Sequence, residues 1–421
     1  MRRVYLSFLG AGEYKEAIYK IGVKEARATR YVQCAEADIL GNAYFDVFYI
    51  VATPTSKGKH FSALESELKQ LGVTNITLIE ISEKLEASNQ WQWFENILTK
   101  IDQGDHLTID MTHGFRAAPI VLSAAINFLQ KSKKIVLNAV YYGAYENKDE
   151  NGVAPIIDMK DFYIINEWAE AVSRLIEDAD ARKMAEIAGQ AGGDKIGELN
   201  DQTIIDAFND LTNTIRNVDI NNVAKKTNAA LALVHEKSKT ASPTGKILLD
   251  LVIDKFVSIS SDEPISGNYD KAYFHLQLEI IRLLLEHRLY MQAFTVMREF
   301  VGSIGLIQVE KANMRKSDGF KQRNKADIFL RMLTNDEQTW NFDGAEDLKM
   351  RVQPFYDTLK NLEIETVLRR FCREMTDYRN GFDHAWTNRK ESFSGIPEKG
   401  NEFYLQLKGV IERLESQNLI P

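Results

Sequence analysis

The chain has 421 residues, carries a formal net charge of −8, and is 44% hydrophobic and 27% charged. That length suggests two or three domains; 16 Tyr and 21 Phe supply a sizeable core and exclude long disorder. The acidic balance argues against a surface coated in basic residues for bulk nucleic-acid binding, and leaves room for a local basic groove.

The two cysteines, Cys34 and Cys372, are too few and too far apart for a disulfide framework and fit no zinc spacing. Both are expected as reduced core residues, which suits a cytoplasmic protein. Met1 to Leu9 has the look of a signal start, but its apolar run is too short and Gly10-Ala11-Gly12-Glu13 follows it. No 18-residue apolar stretch occurs, so neither leader nor membrane span is expected.

In chain order, Val4 to Leu9 reads as a buried strand that ends in a glycine-rich turn. Asp46 to Ala52 is a second strand, followed by Thr53-Pro54-Thr55-Ser56 and a helix from Phe61 to Leu71. Thr74 to Ile81 is a strand, Trp91 to Ile101 a helix, Leu107 to Asp110 a short strand, Ala117 to Leu129 an apolar helix, and Lys134 to Tyr142 a strand. Apolar strands alternating with helices point to a mostly parallel sheet covered on both faces. After Asn166 the pattern becomes helical. Glu167 to Ile187, Ala272 to Leu285 and Tyr290 to Leu306 are expected helices, and 240–245 and 260–268 are expected loops. Soft boundaries near 166 and 268 divide the chain into 1–166, 167–268 and 269–421.

Three short motifs carry chemistry. Gly10-x-Gly12 after the first strand allows close backbone approach to a phosphate, although Lys15 stands where a dinucleotide-binding pattern needs glycine; a plain strand-to-loop turn explains it equally. Asp110-Met111-Thr112-His113-Gly114-Phe115-Arg116 lies between a strand and a helix, where open α/β sheets bind ligands. Thr112 and His113 offer donors, Gly114 lets backbone approach, and Arg116 suits phosphate. A helix cap with a satisfied histidine is the plainer alternative. Arg379-Asn380-x3-His384 suits metal-independent RNA cleavage: His384 shuttles a proton while Arg379 stabilises the charged phosphorane. Five residues apart on a regular helix is roughly 140°, so either Asn380-Gly381 interrupts the helix or the long arginine swings round. Lys311 to Arg331 holds seven basic residues against two acidic ones, enough to steer RNA or simply to form a solvated loop. His60, His106, His235, His275 and His287 show no metal spacing and are assigned to structure or surface; no metal site is expected.

The combination resembles the CRISPR-associated DxTHG family. Asp110-Met111-Thr112-His113-Gly114 matches the motif that names it, and Arg116 and the Gly10-Ala11-Gly12 turn fit. Tyr290-Met291-Gln292-Ala293 with Arg298-Glu299-Phe300 looks like the helix preceding the nuclease motif, and Arg379-Asn380-x3-His384 matches the HEPN ribonuclease motif. The resemblance implies a Rossmann-like CARF domain that senses cyclic oligoadenylate made by type III CRISPR complexes, followed by an all-α HEPN domain that dimerises and cleaves single-stranded RNA. It carries ligand binding to Gly10, Gly12, Glu13, Thr53, Thr55, Thr112, His113, Gly114 and Arg116, and catalysis to Arg379, Asn380 and His384. Tetra-adenylate is expected over hexa-adenylate as the activator, with no other cofactor, in a homodimer or an assembly of dimers. Two alternatives stand beside it: a non-catalytic sensor whose helical domain binds a partner or nucleic acid, and a sensor that also hydrolyses its own ligand.

Overall fold

The first strand sets the layout. In β1 (Arg3–Leu9), Val4, Leu6 and Phe8 pack into one core, while Tyr5 and Leu9 belong to another on the opposite face. A strand with two apolar faces must be covered on both. The computed structural model describes the chain except residues 42, 85, 115–117, 189–198, 262–268, 309–316, 343 and 388–394; of residues 118 and 317–323 it describes the backbone. The chain divides into two units, Met1–Asn166 and Glu167–Pro421.

In the first unit β1 is followed by β2 (Ile18–Ile21), β3 (Lys24–Glu25), α1 (Val32–Leu40), β4 (Val47–Ala52), α2 (Pro54–Ser56), α3 (Ser62–Gln70), β5 (Ile76–Glu80), α4 (Ala87–Leu98), β6 (His106–Asp110), α5 (Ala118–Ser132), β7 (Val136–Gly143) and β8 (Val153–Asp158). The eight strands form one sheet in the order β3-β2-β8-β7-β6-β1-β4-β5. β5, β4, β1, β6 and β7 run parallel; β8 is antiparallel to β7, and β3 to β2. Helices α4 and α5 supply Trp93, Ile97, Leu122 and Ile126 to one core. Cys34 of α1 and Leu64 and Leu68 of α3 close the other. The sheet is thus mixed and mostly parallel, compatible with a Rossmann-like domain.

The order of strands fixes where a ligand would go. Strand β1 has β4 and β5 on one side and β6 on the other. The crevice at the carboxyl ends of β1 and β6 is therefore the topological switch point.

Some expectations change. β2, β3, α1 and β8 are additional elements. The helix after β4 begins at Pro54, seven residues earlier than Phe61, and runs through a π-helical stretch at Lys57–Phe61. Thr53 caps it, accepting from the Ser56 amide at 3.2 Å, and proline suits the first helical position because its missing N–H would have no partner there. The expected helix over Glu167 to Ile187 is two, α6 (Asp161–Asp178) and α7 (Arg182–Ala188), broken where Ala179 turns to a φ of 49°. Pro243, expected in a loop, opens a helix capped by Ser242.

Beyond Asn166 the described residues contain no strand. After α6 and α7 come α8 (Gln202–Arg216), α9 (Ile220–Ser238), α10 (Pro243–Phe256), α11 (Lys271–Glu286), α12 (Tyr290–Ile304), α13 (Ser317–Thr334), α14 (Glu346–Asn361), α15 (Ile364–Asp383) and α16 (Ile396–Ser416). Helix α12 lies at the centre, packed on α11, α13, α15 and α16. Its Phe294 meets the rings of Tyr378, Phe382 and Phe403 at 5.6–5.8 Å, so the last turns of α15 rest on an aromatic core. Cys34 and Cys372 are both buried free thiols.

Candidate functional site

At the switch point three loops converge. The Gly10 amide donates to the Tyr14 hydroxyl at 2.8 Å, folding the β1 loop back on itself. A Cβ at Gly10 would lie 3.5 Å from the His113 Cβ and 3.8 Å from the Gly114 amide, so the β1 and β6 loops touch. From beyond β4, His60 Nε2 meets the Gly12 carbonyl at 2.8 Å and Lys59 donates to the Ala11 carbonyl at 3.1 Å. Tyr14 stands in the middle, its ring edge-on to His113 at 4.5 Å and to His60 at 4.7 Å, with Tyr31 at 5.2 Å. Gly114 has a φ of 137°, a conformation that glycine tolerates and other residues rarely adopt.

Beneath the loops lies a buried polar network. Asp110 accepts from Ser7 Oγ at 2.6 Å, from the Thr112 amide at 2.9 Å and from Thr112 Oγ1 at 2.5 Å. Thr112 Oγ1 in turn accepts from the Gly143 amide at 2.7 Å. Gln33 donates to Ser7 Oγ, and Tyr5 donates to Glu36 at 2.7 Å. Burial pushes the Asp110 carboxyl up and the His113 imidazole down, and raises Glu36 well above the usual carboxylate range, with Asp110 adding to that rise. His113 Nε2 is buried and has no hydrogen-bond partner among the described residues.

Of the sequence-derived ligand residues, Gly10, Gly12, His113 and Gly114 come together here. The Thr112 hydroxyl is engaged below them, tying β6 to β7. Thr53 and Thr55 follow β4: the Thr53 hydroxyl caps its helix, and the Thr55 amide donates to Glu83 at 2.6 Å. Glu13 is exposed, and Arg116 lies outside the described residues. Tyr14, His60 and Lys59 are additions. A histidine beyond a different strand gives no sequence signal of reaching this loop.

In the helical unit, α15 runs unbroken through Asn380 and Gly381, so those residues do not interrupt the helix. It ends at Asp383, and His384 is the capping residue, at φ −110° and ψ 19°. The Trp386 amide donates to the Gly381 carbonyl at 2.8 Å and the Ala385 amide to the Phe382 carbonyl at 3.3 Å, the paired bonds of a Schellman end. Ala385 and Trp386 both take left-handed conformations, at φ 51° and 58°. Arg379 and His384 are exposed and Asn380 half-buried. The Arg379 guanidinium pairs with Asp383 at 3.6 Å, and no hydrogen bond joins it to His384.

Arg379 also forms part of the wall of a cleft between α12, α13 and α15, with Arg298, Arg331 and Arg373. Of the basic run at 311–331, Arg331 reaches this cleft and Lys325 is buried. Lys311, Arg315 and Lys316, and the side chains of Lys321 and Arg323, lie outside the described residues.

The architecture is therefore an open α/β sheet with a switch-point crevice, joined in one chain to a helical unit with a guanidinium-walled cleft. No protein-family model matches the chain. It is similar to CRISPR-associated protein MJ1674 of Methanocaldococcus jannaschii, at 25% identity over 28% of this chain and 21% of that protein. The match thus spans about a fifth of that relative's length. The likeness supports a CRISPR-associated family.

Proposed function

We propose that this chain is a cyclic-oligoadenylate-activated, metal-independent endoribonuclease of type III CRISPR defence, acting on single-stranded RNA. Residues 1–166 are the CARF sensor, 269–421 the HEPN nuclease, and 167–268 the helical connection, in a homodimer or an assembly of dimers. The observation that carries the reading is the end of α15, where Arg379 and His384 are both exposed and Arg379 adjoins three further guanidiniums.

The chemistry follows from those groups. The RNA 2′-hydroxyl attacks the adjacent phosphorus while the bond to the 5′-oxygen breaks, leaving a 2′,3′-cyclic phosphate and a 5′-hydroxyl. His384 moves the proton between the two oxygens, Arg379 holds the charge that gathers on the phosphorane, and Asn380 positions the phosphate. Arg379 must release Asp383 to do so; two half-exposed groups at 3.6 Å part readily. In the sensor, Gly10, Gly12, Glu13, Thr53, Thr55, Thr112, His113, Gly114 and Arg116 form the ligand site. The buried Nε2 of His113 and the backbone of the two touching loops are its best supported members. The ligand activates by binding the competent dimer more tightly than the resting one, and a two-fold ring suits an isologous pair.

The test is cleavage of a fluorescent RNA in EDTA, with and without cyclic tetra- or hexa-adenylate. Cleavage with one ring only, abolished in His384→Ala, is the expected result; tetra-adenylate is the expected ring. Ligand binding without cleavage under either ring would replace this reading with a non-catalytic sensor, which the absence of an Arg379–His384 hydrogen bond favours.

A further inference from the structure

We propose that the cleft between α12, α13 and α15 seats the phosphodiester backbone of single-stranded RNA through Arg298, Arg331 and Arg373, delivering the chain to Arg379. This rests on the nuclease reading for the chemistry at Arg379, but the binding claim stands on separate observations.

The cleft holds about 570 Å³, within the range of roughly 300–1,000 Å³ that takes small ligands. Among the described residues, four guanidiniums line it against one carboxylate, Asp327, in a chain whose net charge is −8. Local concentration of arginine against the overall charge is what an electrostatic track for phosphate requires. The guanidiniums differ in their engagement. Arg298 is held by Glu299 at 2.7 Å and Asp327 at 3.2 Å. Arg373 pairs with Asp336 at 2.6 Å, and the Asp336 side chain is 74% exposed. Arg331, in the last turn of α13, has no carboxylate partner among the described residues. A cation without a carboxylate partner among the described residues, flanked by others whose partners are solvated, can accept phosphates by exchange.

The rest of the lining favours backbone over base. Leu330, Cys372 and Met375 form a buried apolar floor. Thr334 and Thr376 donate their hydroxyls back to the Leu330 and Cys372 carbonyls, at 3.0 and 2.7 Å. The donors left to a ligand are the guanidinium forks, which match phosphate oxygens. No aromatic ring is among the described lining residues, and contacts to the phosphodiester backbone carry no sequence information.

The test compares the parent with Arg331→Gln/Arg373→Gln, which keeps Arg379 and His384. Cleavage kinetics are read on a uridine oligomer with activator. Binding of labelled uridine and adenosine oligomers is read across a KCl series in a His384→Ala background. Expected are an affinity loss of about tenfold at low salt, equal for both oligomers, and a KM that rises more than kcat falls. The slope of log K against log[KCl] becomes shallower by roughly 1.4, at about 0.7 per lost phosphate contact. An unchanged slope and KM in a parent that cleaves RNA would overturn the cleft and leave the nuclease standing. A parent that does not cleave, but whose binding slope falls in the double variant, would keep the cleft and remove the nuclease. A parent that neither cleaves nor binds overturns both. Should the double variant misfold, Asp336→Asn serves instead: releasing Arg373 must tighten RNA binding, and unchanged or weaker binding counts against the proposal.

Discussion

The indole of Trp386 lies so close to Gly381 that a Cβ built there would fall 2.6 Å from the ring. Helical glycine is ordinarily a weakness, and here it is the space that lets the chain double back after α15. Gly381→Ala must push Trp386 away and break the Schellman end that carries His384. A destabilisation of about 1–3 kcal/mol is expected, as for overpacking elsewhere, together with a loss of cleavage larger than the loss of ligand binding. Thermal melting and tryptophan fluorescence check the first; parallel ligand titration checks the second.

Arg379→Lys separates charge from geometry. Lysine keeps the charge but loses the planar fork. If Arg379 stabilises the phosphorane, cleavage falls on the order of 100-fold with RNA affinity nearly kept. A lysine variant within about threefold of the parent would assign Arg379 to steering alone.

Tyr14→Phe removes the partner of the Gly10 amide while keeping the ring beside His113 and His60. One hydrogen bond is worth about 1 kcal/mol, so affinity for the activating ring should fall about fivefold. Calorimetric titration measures it. His60→Ala, which frees the Gly12 carbonyl, should act in the same direction.

The helical unit has a pH dependence of its own. His287 ends α11, is buried, and has no hydrogen bond to either ring nitrogen. Burial, helped by Lys255, draws its imidazole down to about 4. The unfolded chain holds a histidine near its ordinary value of about 6.5. A depressed folded value means the unfolded state binds the proton first, so the stabilisation is complete above 6.5 and is lost as pH falls towards 4. His287→Phe should flatten the melting temperature over that window; a curve parallel to the parent's would show that His287 is not neutral in the fold.

The sequence made the central strands plain and hid much of what joins them. β1, β4 and β6 read clearly because they are almost uninterrupted apolar runs. Helix α1 did not, since it turns Gln33 and Glu36 inward onto Ser7 and Tyr5, and a polar stripe on the buried face erases the periodicity. The short strands β2, β3 and β8 carry half-exposed or exposed residues and no strong alternation. At the crevice, glycines and His113 were legible as a motif. Thr53 and Thr55 enter the ligand set through the family resemblance, and the helix start that Pro54 marks between them was not read from the sequence. His60 and the arginines of the cleft come from elements far apart in sequence, and only the packing of those elements makes them neighbours.

The backbone beyond α15 has a cost that glycine would remove. Ala385 and Trp386 hold left-handed dihedrals at φ 51° and 58°, each unfavourable by about 1 kcal/mol or more for a residue with a side chain. Glycine at 385 would relax the turn, but it would also admit many more backbone states to the segment that carries the imidazole. With alanine and tryptophan, the tip has few alternatives to the shape it takes, and the entropy of locating His384 is lost at folding; under the nuclease proposal, it is then not lost again at each encounter with RNA.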